Sequence, residues 1–306
     1  MSFEVIKPGF LALIQDLGRF GFQHMGVTTG GPMDEHAFCW ANRLLGNKLN
    51  APQLEITFGQ LTLKAHDNTC IALTGADLNA HLNDKKVHPW RTYQVRKGDT
   101  VTFESPISGL RSYLAVIGGF QLEAKLGSVA SVPREQIGGL TNGESLKVGD
   151  RLFFLSSRDL PHGVAPTWAI PDYQAPLELG VMLGYQAKEF PNTELMTLLS
   201  SEYEVSQNID RMGYRLTGKP IRCNRDGIVS EGIAYGAIQI PQDGQPIVLM
   251  KDRQTIGGYP KVGSLSALDT GQLAQRAPGS LVRFCMSDIA EAEAKRMLFN
   301  KAMTSR

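Results

Sequence analysis

The chain has 306 residues, enough for about two domains that each bury their own core. It carries 31 Lys plus Arg against 30 Asp plus Glu, so charge gives no basic bias for nucleic acid and no acidic run of a solvating tail. No apolar stretch is long enough to cross a membrane as a helix, and the first sixteen residues, with Glu4, Pro8 and Gly9, do not read as a signal peptide.

Residues 3 to 14 alternate loosely and end in LALI, which suits a strand, and QDLGRFGF (15 to 22) follows as a turn with Gly18 and Gly21. VTTGGPMD (27 to 34) reads as a loop ending in Asp34, a helix cap. Ala37, Phe38, Ala41, Leu44 and Leu45 then fall on one helical face, and Gly46 stands where a helix stops, which predicts a helix over 34 to 45. From 53 to 117 come short runs (LEITF, LTLKA, CIALTG, LNAHLN, YQV, DTVTFE, RSYLAVI) separated by turns, the pattern of an antiparallel barrel or sandwich. A glycine-rich loop is expected over 118 to 145 and a strand over 151 to 155. Residues 156 to 176 hold four prolines and read as a stiff linker, which puts the domain boundary at 160/161: a first β-barrel domain over 1–160 with the helix as an insertion, and a second over 161–306. The second half opens with the strand LELGVML, continues with a short helix over 192 to 200 and further strands through 282 to 286, and ends in a helix over 287 to 303 capped by Ser287.

The halves share three segments in one order. QDLGRFGF matches QNIDRMGY (207 to 214), GGFQLEAKLGSV (118 to 129) matches GGYPKVGSL (257 to 265), and GDRLFF (149 to 154) matches GSLVRF (279 to 284). Three matches in one order imply two copies of one barrel-like unit. Arg19 and Arg211 then occupy equivalent turns, and a cleft between the domains is the expected place for a ligand.

The densest polar segment is 226 to 264. Ile247-Val248-Leu249-Met250 reads as a short buried strand that delivers Lys251, Asp252, Arg253, Gln254 and Thr255 into the Gly257-Gly258 loop. Arg253 is either a ligand for a carboxylate or phosphate, which its planar fork suits, or the partner of Asp252 or another acid. Lys261 is either a point charge for phosphate or a solvated loop lysine, and Tyr259 either stacks on a ligand or packs in the core. Arg19, Arg211 and Arg215 are anion ligands or braces of their turns, with Asp16 and Asp210 set to orient them. Asp77 either accepts a proton or caps its turn; Gln239 and Gln245 bind an amide or satisfy loop backbone. Ser230 and Glu231 sit in a glycine-flanked turn with no histidine placed to activate the serine. The sequence holds no phosphate-binding loop of the G-x-x-x-x-G-K-[ST] type, no G-x-S-x-G and no H-E-x-x-H, and its six histidines lack metal spacing. No metal is expected. Cys39, Cys70, Cys223 and Cys285 show no paired spacing and are expected as buried thiols, which with no export signal implies a cytoplasmic protein.

Taken together, QDLGRFG, GPMDEHAFCWANRLLGN, LTGADL, DRMGYRL, GAIQIPQDGQPIVLMKDRQTIGGYPKVG and LAQRAPGSLVRF resemble the allophanate hydrolase subunit 2 family, also called the KipA-type or biotin-dependent carboxyltransferase-like family. The resemblance runs from about residue 5 to 286 and is most specific over 236 to 263. It implies a mainly β fold of two cyclophilin-like β-barrel domains with a few short helices. It also implies the activity of the family's stand-alone bacterial members, among them the C subunit of the ATP-dependent 5-oxoprolinase, an enzyme that converts 5-oxo-L-proline, ATP and water to L-glutamate, ADP and phosphate. The implied partners are the other two chains of that enzyme, a KipI-type B subunit and an A subunit. One position departs from the family pattern: Ile209 stands where a serine is expected before Asp210-Arg211-Met212-Gly213, so no hydroxyl role carries over there.

Lactam opening meets a resonance-stabilised carbonyl, and phosphorylating its oxygen makes a better electrophile for water. That chemistry needs a carboxylate clamp, cations for phosphate and a group to orient water. The expected assignments are Arg253 as the clamp, helped by Gln254 and Tyr259; Lys261 or Arg211 facing phosphate beside Gly257 and Gly258; Asp252 or Asp77 orienting water; and Arg19 and Gln239 as further substrate contacts. ATP is expected to be bound mainly by a partner. Two other readings stay open: a carboxyltransferase subunit of the urea and allophanate type, with biotin carried elsewhere because no Ala-Met-Lys-Met motif occurs here, and a non-catalytic protein that antagonises a KipI-type kinase inhibitor.

Overall fold

In the computed structural model, which describes residues 1–155, 163–225 and 227–304, the chain divides into two compact units. One comprises Met1–Phe20 and Gly30–Gln174, the other Gly21–Thr29 and Ala175–Arg306. The expected boundary at 160/161, and with it His162, lies outside the described residues.

The first unit is built from two sheets. One runs in the order β11 (Arg151–Phe153), β1 (Ser2–Pro8), β4 (Leu61–Ala65), β9 (Thr100–Thr102), β6 (His81–Leu82), β7 (Lys85–Lys86); the other in the order β2 (Leu11–Gln15), β3 (Gln53–Thr57), β10 (Ser108–Val116), β5 (Thr69–Asp77), β8 (Arg91–Val95). All pairings are antiparallel. Period-two alternation points Phe3, Val5, Leu61 and Leu63 of one sheet and Ile14, Leu54, Ile56, Ile71, Leu114 and Val116 of the other into one apolar core. The single strand expected over 3 to 14 is two strands in different sheets. Gly9 turns the chain at φ 76°, and a side chain there would strike the Gly59 carbonyl. Helix α1 (Glu35–Leu44) forms where its local signals put it: the Asp34 carboxylate accepts from Ala37 N at 3.1 Å, and Gly46 takes φ 66° beyond the end.

The second unit contains a closed barrel in the order β12 (Leu177–Leu183), β19 (Lys261–Leu265), β16 (Ala237–Gln239), β17 (Ile247–Leu249), β14 (Gly213–Gly218), β13 (Glu202–Ile209), β20 (Leu281–Met286), closed by the parallel pairing of β12 with β20. A two-stranded ribbon, β15 (Glu231–Gly232) with β18 (Ile256–Gly257), stands beside it. Helix α2 (Asn192–Ser200) is where the sequence puts it. Helix α3 (Ala267–Leu273) falls in a stretch read as strand; Ser266 accepts from Asp269 N at 3.1 Å, and that Ser-x-x-Asp spacing is the sequence signal for its start. Helix α4 (Ile289–Thr304) starts later than expected: Asp288, not Ser287, accepts from the Glu291 N–H at 2.8 Å, while Ser287 donates to the Glu291 carboxylate at 2.9 Å. All four cysteines are free; Cys39 and Cys70 are buried and the other two half-buried.

Candidate functional site

The second unit holds a cavity of about 680 Å³. One wall is the hairpin of β13 and β14, whose turn is fixed by Asp210: its Oδ1 accepts from Met212 N at 2.7 Å and Gly213 N at 2.9 Å. Antiparallel register then sets Gly213 opposite Leu249 and Arg215 opposite Ile247, so Gln207, Asn208, Ile247 and Leu249 share the cavity although they lie far apart in the chain. The opposite wall is Arg253, Gln254, Gly257, Gly258 and Tyr259, with Gln239 and Ile233 between.

Arg253 is buried, at 6% exposure. Its Nε donates to the Ile233 carbonyl at 3.1 Å and its Nη1 to the Met250 carbonyl at 3.3 Å, which leaves Nη2 with no hydrogen-bond acceptor among the described residues. Its guanidinium lies 5.9 Å from the Tyr235 ring centre. Burial lowers its pKa from the ordinary arginine value, against the opposing pull of Tyr235 and Asp252. Thr28, in the 21–29 segment of the same unit, donates its hydroxyl to the Arg253 carbonyl and pins the loop from behind. Gln239 is equally buried at 6%, lines the same cavity, and its carboxamide makes no hydrogen bond to any described residue. Gly257 faces it: a Cβ there would stand 2.9 Å from Gln239 Nε2 and inside contact distance of Ile233 Cδ1.

Arg211 and Asp252 lie outside the lining. They pair with each other, both buried. Lys261 lies two residues beyond Tyr259, yet it lines a separate cavity of about 170 Å³ together with Tyr185, Gln186 and Gly232. There its ammonium pairs with Glu231 and donates to the Gly232 carbonyl at 3.2 Å. Glu231 also accepts from Tyr185 and, at 2.7 Å, from Gln186, and the Lys261 bond chiefly holds its carboxyl below the usual range. Arg215, by contrast, does line the large cavity, and it pairs with Asp243.

Arg19 and Asp77 belong to the first unit. Arg19, 1% exposed, donates to the carbonyls of Lys125 (3.4 Å), Ser128 (3.4 Å) and Ala130 (2.8 Å), the geometry of a brace. Asp16 accepts from Gly18 N, Val129 N and the Ser128 hydroxyl, and so holds the same turn. Asp77 accepts from Asn79 N at 2.9 Å as a turn cap. Gln245 exchanges two hydrogen bonds with the Gly218 backbone. Of the expected site residues, the structure therefore gathers Arg253, Gln254, Tyr259, Gln239, Gly257 and Gly258 in one cavity, with Asp210 and Arg215 also on its lining, and puts Arg19, Asp77, Arg211, Asp252 and Lys261 elsewhere. It adds Gln207, Asn208 and Ile233, which sequence reasoning did not single out; Gln207 alone carried a signal, as a matched residue of the internal repeat. Among the described residues no cluster of three His, Cys, Asp or Glu could hold a metal ion.

The chain belongs to the family described as carboxyltransferase domain, subdomain A and B, whose model matches residues 25–286. It is 36% identical to the C subunit of 5-oxoprolinase from Escherichia coli (strain K12) over 94% of this chain and 92% of that one. It is 31% identical to urea amidolyase of Lachancea kluyveri, over 92% of this chain but 17% of that protein. Among solved structures, the K. lactis urea amidolyase superposes with a TM-score of 0.93 at 27% identity, covering 99% of this chain and 20% of that one. The Kluyveromyces lactis urea carboxylase gives 0.92 at 28%, covering 99% and 29%. These relatives are enzymes or parts of enzymes, and no described helix is long and apolar enough to cross a membrane.

Proposed function

We propose that this chain is the C subunit of an ATP-dependent 5-oxoprolinase and binds the lactam substrate in the barrel cavity of its second unit. The observation that carries the reading is the match to the C subunit of a 5-oxoprolinase over 94% of one chain and 92% of the other, where the urea amidolyase match occupies only 17% of a much longer protein. The reaction is 5-oxo-L-proline, ATP and two waters to L-glutamate, ADP and phosphate. In it, Arg253 Nη2 holds the substrate carboxylate: a desolvated guanidinium whose Nη2 is open regains by binding an anion what burial cost it. Ile233, Ile247 and Leu249 line the space for the ring methylenes, and Tyr259 and Gln254 close the outer edge.

Three candidate phosphate-facing cations of this unit are already paired with acids. Lys261 is committed to Glu231, Arg211 to Asp252 and Arg215 to Asp243. The ATP site is therefore assigned to a partner chain. The partners are the KipI-type B subunit and the A subunit of the oxoprolinase, and the complex is cytoplasmic. Asp252 supports Arg211 rather than orienting water.

The test is phosphate release from ATP by this chain mixed with the candidate A and B subunits, with and without 5-oxoproline. Release that needs all chains and the lactam, with glutamate formed in step, is the expected result. A second reading, a carboxyltransferase subunit fed by carboxybiotin from another chain, is favoured by the 0.93 TM-score to urea amidolyase. It gains if lactam-dependent turnover is absent and a urea-type acceptor is carboxylated instead.

A further inference from the structure

Buried carboxamides in folded proteins have their donor and acceptor groups paired, because leaving them unpaired forfeits their hydration without replacement. Gln239 has no such partner among the described residues, and its carboxamide is open to the cavity instead. It is 6% exposed, it ends β16, its side chain makes no hydrogen bond to any described residue, and it lines the large cavity. Asn42 and Gln186, buried amides elsewhere in the chain, bond to backbone or to a carboxylate. The position is also built around it. Gly257 leaves room for its Nε2, and Ile233 links it to the arginine, with its side chain against the Gly257 position and its carbonyl on Arg253 Nε. Two open groups of different kind thus meet in one cavity: a cationic donor on Arg253, and on Gln239 a donor and an acceptor side by side.

We propose that Gln239 is the specificity-determining residue of this cavity and pairs in-plane with a secondary amide of the substrate, its Nε2 donating to the amide carbonyl and its Oε1 accepting from the amide N–H. The ligand class is a small carboxylate that carries a cis-oriented amide or ureido group, the carboxylate on Arg253 and the amide on Gln239. A ring lactam is such an amide, since ring closure holds N–H and C=O on one side. The inference rests on the lactam reading above for its particular ligand, but not for its chemistry.

The experiment is titration calorimetry of the full chain, alone and assembled with its partner chains, against three ligands. These are 5-oxo-L-proline, 3-oxocyclopentane-1-carboxylate (the same ring with CH2 in place of N–H) and N-carbamoylglycine, an open ureido acid. A site built to hydrogen-bond an N–H rejects the analogue lacking it. The wild-type chain is expected to bind the lactam at least about tenfold tighter than the carbocycle, and Gln239→Met to lose about tenfold for the lactam and bring that ratio close to one. A wild-type ratio near one overturns the proposal without any variant being needed, as does a folded Gln239→Met chain that keeps the wild-type ratio. Failure to bind the lactam, with Gln239-dependent binding of N-carbamoylglycine, overturns the 5-oxoprolinase reading and leaves the amide-reading role standing. Binding of neither overturns both.

Discussion

Arg211 and Asp252 form a two-point ion pair in the interior of the second unit, with Nε to Oδ2 at 2.8 Å and Nη2 to Oδ1 at 2.9 Å. The pairing is doubled by the backbone, since Asp252 N donates to the Arg211 carbonyl at 2.7 Å. The hairpin turn on one wall of the cavity is thereby tied to the residue just before Arg253 on the other. Fork-to-carboxylate geometry is the strong form of such a pair. Its value lies in not being broken: removing one partner strands a buried charge, at a cost of about 3–5 kcal/mol. Asp252→Ala and Arg211→Ala should each lower unfolding free energy by about that much in urea denaturation, and the double variant by clearly less than the sum. Additive losses would mean that the two side chains do not depend on each other.

Arg253→Lys separates charge from shape. Lysine keeps the cation but has no fork to span the carbonyls of Ile233 and Met250 while still offering a donor to the cavity. Hydrogen bonds to charged groups contribute about 1.5–3 kcal/mol, so the assembled enzyme should lose roughly 10- to 100-fold in kcat/KM for the lactam, most of it in KM. Unchanged kcat/KM with folded Arg253→Lys protein would remove Arg253 from substrate binding.

Gly257→Ala tests the cradle. A methyl there meets Gln239 Nε2 and Ile233 Cδ1 at once, so both side-chain ends must shift out of the cradle. Overpacking of this kind costs about 1–3 kcal/mol, so the variant should melt earlier and bind lactam more weakly. Gly232→Ala is the control on the neighbouring strand of the same ribbon, where an added Cβ meets nothing within 4 Å; it should change neither quantity much.

What could be read in the sequence follows from how local each cause is. Helix α1 was legible because its cap, its apolar stripe and its stop all lie between Asp34 and Gly46, and Arg253, Gln254 and the glycine pair because they follow one apolar strand. The hairpin wall was not legible in the same way. Gln207 and Asn208 reach the cavity only through the register of β14 on β17, set by Tyr214 opposite Val248, which no local pattern specifies. Lys261 shows the converse error: close to Tyr259 in sequence, it faces a different cavity and finds its acid far back in the chain at Glu231. Arg19 was read as equivalent to Arg211 by the repeat. Both are buried in their turns, but Arg19 donates to three carbonyls and Arg211 to a carboxylate, a difference of partner that the turn sequences alone do not contain.

The Glu231 cluster gives the ribbon a pH dependence of predictable sign. The Glu231 carboxyl is held below its ordinary value of 4.5, first by the Lys261 bond and then by Tyr185. A carboxyl whose pKa is lower folded than unfolded contributes stability above the unfolded value and loses it as pH falls through the folded one. The ribbon should therefore stay closed on the barrel at neutral pH and loosen as pH drops from about 4.5 downward. Hydrogen exchange of the Ile233 and Ile228 amides, which donate to Thr255 and Gly258 across the ribbon and its flank, reports this directly. Their protection should fall in that window in the wild type. In Glu231→Gln it should already be reduced at neutral pH and nearly flat with pH, because the amide cannot ionise and Lys261 loses its partner. Protection that declines with pH equally in Glu231→Gln would assign the acid sensitivity to another carboxyl. Exposure limits the size of the effect, but the lowered carboxyl fixes its direction, and Ile233 connects it to the site: when the ribbon loosens, the carbonyl that holds Arg253 Nε moves with it.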